Sequence, residues 1–159
     1  MKVSVYVDIS NLFFALKSTY DGGKLNYKKL YGYCSELGEV VVARAYGGYF
    51  KGNKKFIDAL THAGFEPRFQ PCKVYKERVK CNVDPELSMD IIEHVNSTDT
   101  DMIILCSADG DFRRTIEYCQ SKRVRVTVIA RQISKALLNV ADHCVEIPRS
   151  LLYEDDKSK

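Results

Sequence analysis

A chain of 159 residues with 45% apolar and 28% charged side chains can bury a core without metal or disulfide staples and is too apolar to be disordered. Its longest apolar runs, such as Met102 to Cys106, fall far short of the ~20 residues that cross a bilayer, which excludes a membrane partner. A net charge of +3 neither demands nor excludes a polyanion, because the placement of charge matters more than its sum.

The predicted elements alternate strand and helix, the pattern of β-α units around a parallel sheet. The first strand spans Lys2 to Asp8 and follows Met1 directly; no secretion signal precedes it, so a cytoplasmic location is expected. A helix from Ser10 into Lys17 comes next, and another from Asn26 to Leu37 stops at Gly38. A strand at Glu39 to Tyr46, a helix at Asn53 to Ala63 ended by Gly64, and a strand at Glu66 to Gln70 follow. Asp84, Pro85 and Glu86 read as N-cap, N1 and N2 of a helix reaching Val95. The remainder holds strands at Asp101 to Cys106, Arg125 to Ile129 and Cys144 to Ile147, with helices at Asp111 to Ser121 and Ser134 to Ala141. Residues 1–150 read as one domain and 151–159 as a flexible tail. The cysteines show no Cys-x-x-Cys pair and no zinc-site histidine spacing, so free thiols are expected.

Acids collect where such a sheet binds ligands, outside the carboxyl ends of its strands. Asp8 ends the first strand with Asn11 one turn on, and Asp109 and Asp111 follow the strand ending at Cys106, with Gly110 between them. Asp90 flanks the apolar stripe of Leu87, Ile91 and Val95, where a carboxylate is costly unless paired or metal-bound. Each acid alone has an ordinary explanation: Asp8 as a turn residue, Asp109 or Asp111 as a helix cap, Asp90 as partner of a buried cation. Together at one edge they would repel one another until a dication intervened. Oxygen donors without matching His or Cys favour Mg²⁺ or Mn²⁺, and such a site suits a phosphate ester.

The same residues carry a family resemblance. Val-Asp-x-x-Asn (Asp8, Asn11), then Lys-x-x-Val-Asp-x-x-Leu-x-x-Asp (Lys80, Asp84, Asp90), then Ser-x-Asp-Gly-Asp-Phe (Ser107, Asp109, Asp111) resembles the NYN domain, in the LabA branch of the PIN-like nucleases. The later run Val124 to Val128 with Asp142 and Val145 to Ile147 is similar to the end of that domain, so the likeness covers nearly the whole chain. The resemblance implies a three-layer α/β/α Rossmann-like fold with a mostly parallel sheet, and metal-dependent ribonuclease activity. It implies Asp8, Asp90, Asp109 and Asp111 as metal-site and catalytic acids, supported by Asn11 and Ser107. Asp84 stands where the family is usually acidic, but with Pro85 behind it is read as a helix cap. Ser10 in place of a usual glycine, Arg113-Arg114 after Phe112 and Lys122-Arg123 at a usual glycine are departures, none of which removes an acid.

Two segments mix cations with aromatics, the chemistry of single-stranded nucleic-acid binding. Tyr49, Lys51, Lys54 and Lys55 belong to one, Lys76, Arg78 and Lys80 to the other, and Arg113 joins them as a candidate contact. The alternative for both is an ordinary solvated loop. No nucleotide-loop motif is present, so no organic cofactor is expected. His62, His94 and His143 read as surface or capping residues and Cys106 as a buried strand residue. The expected activity is therefore hydrolysis of RNA, with DNA a second substrate and a homodimer left open. A non-catalytic RNA-binding or protein-binding regulator is the alternative.

Overall fold

The computed structural model describes residues 1–49, 52–76, 78–80 and 82–154, with the side chains of 73–75 and 78–80 outside that description. Strands β1 (Lys2–Asp8), β2 (Glu39–Tyr49), β3 (Glu66–Pro71), β6 (Met102–Cys106), β7 (Arg125–Ala130) and β8 (His143–Glu146) form a six-stranded sheet in the order β3-β2-β1-β6-β7-β8. Every neighbouring pair in it is parallel. Parallel sheets are covered on both faces, which is why β6 is buried at every residue and β1 and β7 everywhere after their first. The outermost strand β3 carries Pro67 and Pro71. A proline lacks the N–H a central strand would need and blunts an edge against pairing with another chain.

Helices α1 (Ile9–Thr19), α2 (Tyr27–Leu37) and α3 (Lys54–Ala63) precede β3, and α4 (Asp84–Ser97), α5 (Arg113–Ser121) and α6 (Lys135–Val140) follow it. The strand order runs one way from β1 through β2 to β3, then the other way from β6 to β8. Right-handed crossovers therefore put α1 to α3 on one face and α4 to α6 on the other. Sequence sets the helix ends. Asn26 accepts from the backbone N–H of Lys28 and Lys29 at 3.1 and 3.2 Å, and Gly64 closes α3 in the left-handed region at φ 109°. Gly38 acts differently: its backbone is extended, and a Cβ there would meet the Met1 carbonyl at 2.6 Å.

Parts of the fold differ from what the sequence leads one to expect. The basic segment before α4 is not a plain loop but an antiparallel ribbon of β4 (Lys73–Tyr75) and β5 (Arg78–Lys80). Cys34, Cys106, Cys119 and Cys144 are free thiols, but Cys72, one residue before β4, is disulfide-bonded. The chain also stays docked past residue 150. Leu151 and Leu152 are buried, Leu152 bridges to Leu25, and the Tyr153 N–H donates to the Lys24 carbonyl, because two adjacent leucines find core to fill. His94, expected to be a surface or capping residue, is buried on α4, with Nε2 2.8 Å from the Ser4 hydroxyl, which also lies 3.0 Å from Thr100 Oγ1. Burial holds the His94 pKa below its ordinary value. Ser4→Ala leaves that ring without its partner and is expected to cost about 1–3 kcal/mol in urea unfolding; a variant as stable as wild type would show the bond to be dispensable.

Candidate functional site

The strand order reverses between β1 and β6, so the loops leaving these two strands diverge and open a crevice at their carboxyl ends. Asp8 is the last residue of β1 and the N-cap of α1, accepting from the Asn11 N–H at 3.3 Å. Its other oxygen accepts from the Ser107 hydroxyl at 3.1 Å, just beyond β6. Asn11 returns the tie across the crevice, taking the Ala108 N–H at 2.8 Å on its side-chain oxygen. Ser107 Oγ also accepts from the Asp109 N–H at 3.3 Å, and Asp109 from the Asp111 N–H at 2.9 Å, which starts a 3₁₀ turn over Gly110–Phe112. Gly110 lets the turn pack closely: a Cβ there would stand 3.2 Å from Ser134 Oγ and 3.4 Å from the Ala136 methyl.

Asp84 reaches this site from the opposite element. It opens α4 at its first helical residue, with Val83 as N-cap, so its side chain caps nothing and is free to face the crevice. Carboxylate oxygens of Asp84, Asp109 and Asp111 lie within 4.8 Å of one another, and among the described residues this is the acid group that could hold a metal ion. The carboxyl of Asp84 is pushed up to about 7, first by burial, then by a hydrogen bond shared with Asp109 and by the charges of Asp8, Asp109 and Asp111. Asp8 moves the same way, chiefly because it is buried, although Asn11 and Ser107 pull it back. Hard oxygen donors whose ionisation is held back by burial and then by one another's charge fit a dication, which would offset both.

Asp90 stands apart from this group. Its Oδ2 accepts from the Tyr46 hydroxyl at 2.7 Å and lies 3.8 Å from the Arg44 guanidinium, which also binds Glu66 at 3.0 Å. This is the partner of a cation that the apolar flank of α4 allowed. Of the expected nucleic-acid contacts, Tyr49, Lys54, Lys55 and Lys76 are exposed, while Arg113 is tied to Glu117 at 2.8 Å. Lys51 lies outside the described residues, as do the side chains of Arg78 and Lys80.

The crevice encloses about 720 Å³, and among its described lining residues Arg131 is the cation. Arg131 follows the last residue of β7 and is held on several sides. Its Cζ sits 4.3 Å over the Tyr20 ring, its Nε donates to Thr19 Oγ1 at 3.2 Å, and Glu146 stands 3.7 Å away. The next residue, Gln132, has φ 58°, a conformation a side chain resists, and Glu146 secures it by accepting the N–H groups of Gln132 and Ile133. The signal for Arg131 in the sequence is its place just past the end of a strand on the same edge.

Comparison with known proteins is consistent along the chain. The sequence model of the NYN domain family matches residues 2–148. The chain is 26% identical to the low amplitude and bright protein LabA of Synechococcus elongatus over 161 aligned residues, covering 92% of this chain and 83% of that protein. A crystal structure of a protein of unknown function from Vibrio parahaemolyticus superposes with a TM-score of 0.87 at 28% identity, covering 96% of each chain.

Proposed function

The chain belongs to the NYN domain family, and from that membership and the aspartate cluster we propose that it is a metal-dependent nuclease hydrolysing phosphodiester bonds of RNA. NYN domains are in general nucleic-acid-binding nucleases, and such nucleases typically use a divalent metal. The observation that carries the proposal is the convergence of Asp84, Asp109 and Asp111 within 4.8 Å at the switch between β1 and β6. Carboxylates packed together repel a polyanion and suit no binding surface for one unless a dication sits among them.

In this reading Asp84, Asp109 and Asp111 hold Mg²⁺ or Mn²⁺, with Asp8 contributing charge beside them. A dication bound there lowers the pKa of water and draws charge from phosphate oxygens. The protein's own share is positional. Ser107 and Asn11 lock Asp8 and tie the β1 and β6 loops together, so Asp8 and Asp109 are held relative to each other without metal. Arg131, stacked and ion-paired in advance, meets a phosphate oxygen of the strand with little ordering cost.

Purified protein with Mn²⁺ is expected to cut a labelled single-stranded RNA and to stop when EDTA is added. Asp109→Asn keeps an acceptor for the Asp111 N–H, so it is expected to fold yet lose about 10²-fold or more in rate. Folded protein that leaves both RNA and DNA intact with either ion would overturn the proposal in favour of a non-catalytic role.

A further inference from the structure

A second cavity, of about 1030 Å³, lies on the α1 to α3 side of the sheet. It adjoins the aspartate crevice, since Ser10 and Phe14 line both. Its walls are aromatic, from Phe13, Phe14, Tyr27, Phe56, Phe69 and Tyr153. The inner rings pack edge to face, Tyr27 on Phe56 at 5.7 Å and Phe56 on Phe69 at 6.4 Å, and so hold a fixed wall. At the end of β2 the absence of a side chain on Gly47 lets Phe69 and Ile9 close in, since a Cβ there would stand 3.2 and 3.3 Å from them.

The outer rings are different. Phe13, Phe14 and Tyr153 are 51%, 66% and 59% exposed, so the core does not account for them. The charge beside them has one sign. Lys24 and Lys28 line the trough, Lys17 sits 5.9 Å over the Phe13 ring, and no Asp or Glu is among the described lining residues. Aromatic faces with a cationic rim, next to the proposed phosphodiester site, match a ligand that joins flat rings to an anionic backbone.

We propose that this trough takes unstacked bases of the RNA strand whose backbone the aspartate site holds, so that the enzyme selects single-stranded over duplex RNA. The inference rests on the nuclease reading above and adds the substrate class and the residues that choose it. Bases in a duplex are already stacked and paired and cannot enter, whereas a single strand exchanges solvent for Phe13 and Phe14.

The test is binding of a short fluorescent oligoribonucleotide, with Ca²⁺ in place of Mn²⁺ and gels confirming that the strand stays whole. The exposed rings can be removed without opening the core, so Phe13→Ala/Phe14→Ala is expected to melt like wild type. It should bind the intact strand about tenfold more weakly, the loss of one good stacking contact. An abasic strand of equal length should bind wild type about tenfold more weakly and lose nothing further in the variant, because base and ring report the same contact. Equal affinity of wild type for intact and abasic strands, with RNA cleavage under Mn²⁺ retained, overturns the trough while leaving the nuclease standing. Unchanged RNA affinity together with a shift from dimer to monomer also overturns it, making the face a contact between copies. Wild type that neither cuts nor binds RNA removes both proposals together.

Discussion

Asp84→Asn is expected to reduce metal-dependent cleavage by about 10³-fold and to abolish Mn²⁺ binding by calorimetry, while Asp90→Asn keeps cleavage within about threefold of wild type. The two residues stand six positions apart on one helix, yet their surroundings differ. Asp84 lies among Asp109 and Asp111 with oxygens inside 4.8 Å, so the amide withdraws a charged ligand and several kcal/mol of the stabilisation a metal gives the transition state. Asp90 is occupied by Tyr46 and Arg44 at 2.7 and 3.8 Å. An amide there still accepts from the tyrosine but leaves Arg44 less well neutralised, so the cost is expected in stability, about 1–3 kcal/mol in urea. The reverse result, cleavage lost in Asp90→Asn and kept in Asp84→Asn, would place the metal around the wrong end of α4 and refute the site as drawn.

Mn²⁺ affinity is expected to climb about tenfold per pH unit up to about pH 7 and then to level off. The cause is Asp84, whose carboxyl is raised from 3.8 to about 7 in the folded, metal-free protein. Below that value the ion must displace a proton; above it the ligand is already ionised. The same shift acts on folding with a definite sign. A group that holds its proton more tightly when folded contributes stability that is complete below its unfolded pKa of 3.8 and is lost as pH rises through about 7. Asp8, raised by burial, adds in the same direction. Metal-free protein should therefore lose stability between about pH 4 and pH 7 from these groups, and Mn²⁺ should raise the melting temperature more at about pH 8 than at about pH 6. In Asp84→Asn, which has lost the metal site, the pH dependence of metal-free stability should flatten. A wild-type affinity flat from pH 5 to pH 8 would mean that the acids do not share an ion.

The two aspartates of α4 show how far a sequence can be read. Both fit the spacing Lys-x-x-Val-Asp-x-x-Leu-x-x-Asp, and periodicity places Asp90 beside the stripe of Leu87 and Ile91. Direction decides between them. A crossover helix runs antiparallel to its strands, so α4 begins at the carboxyl edge of the sheet and each residue retreats by ~1.5 Å. Asp84 is at the edge, and Asp90 lies ~9 Å farther along the helix, where the Tyr46 hydroxyl and the Arg44 guanidinium reach it. The cap reading of Asp84 failed for a related reason: Val83 takes the N-cap position and Asp84 is one residue inside the helix.

Sequence by itself determined the parallel α/β architecture, because alternating apolar runs and helical stripes must bury both faces of a sheet. It also determined that Asp8, Asn11, Ser107, Asp109 and Asp111 lie at one edge, since each ends a strand or follows one within five residues and chain continuity carries it there. Only the tertiary structure decided which α4 acid joins them, that Arg131 is stacked on Tyr20 beside them, and that Phe13 and Phe14 border an aromatic trough. These depend on distances between residues far apart in the chain, and a local pattern carries information about its own element, not about what a crossover lays against it.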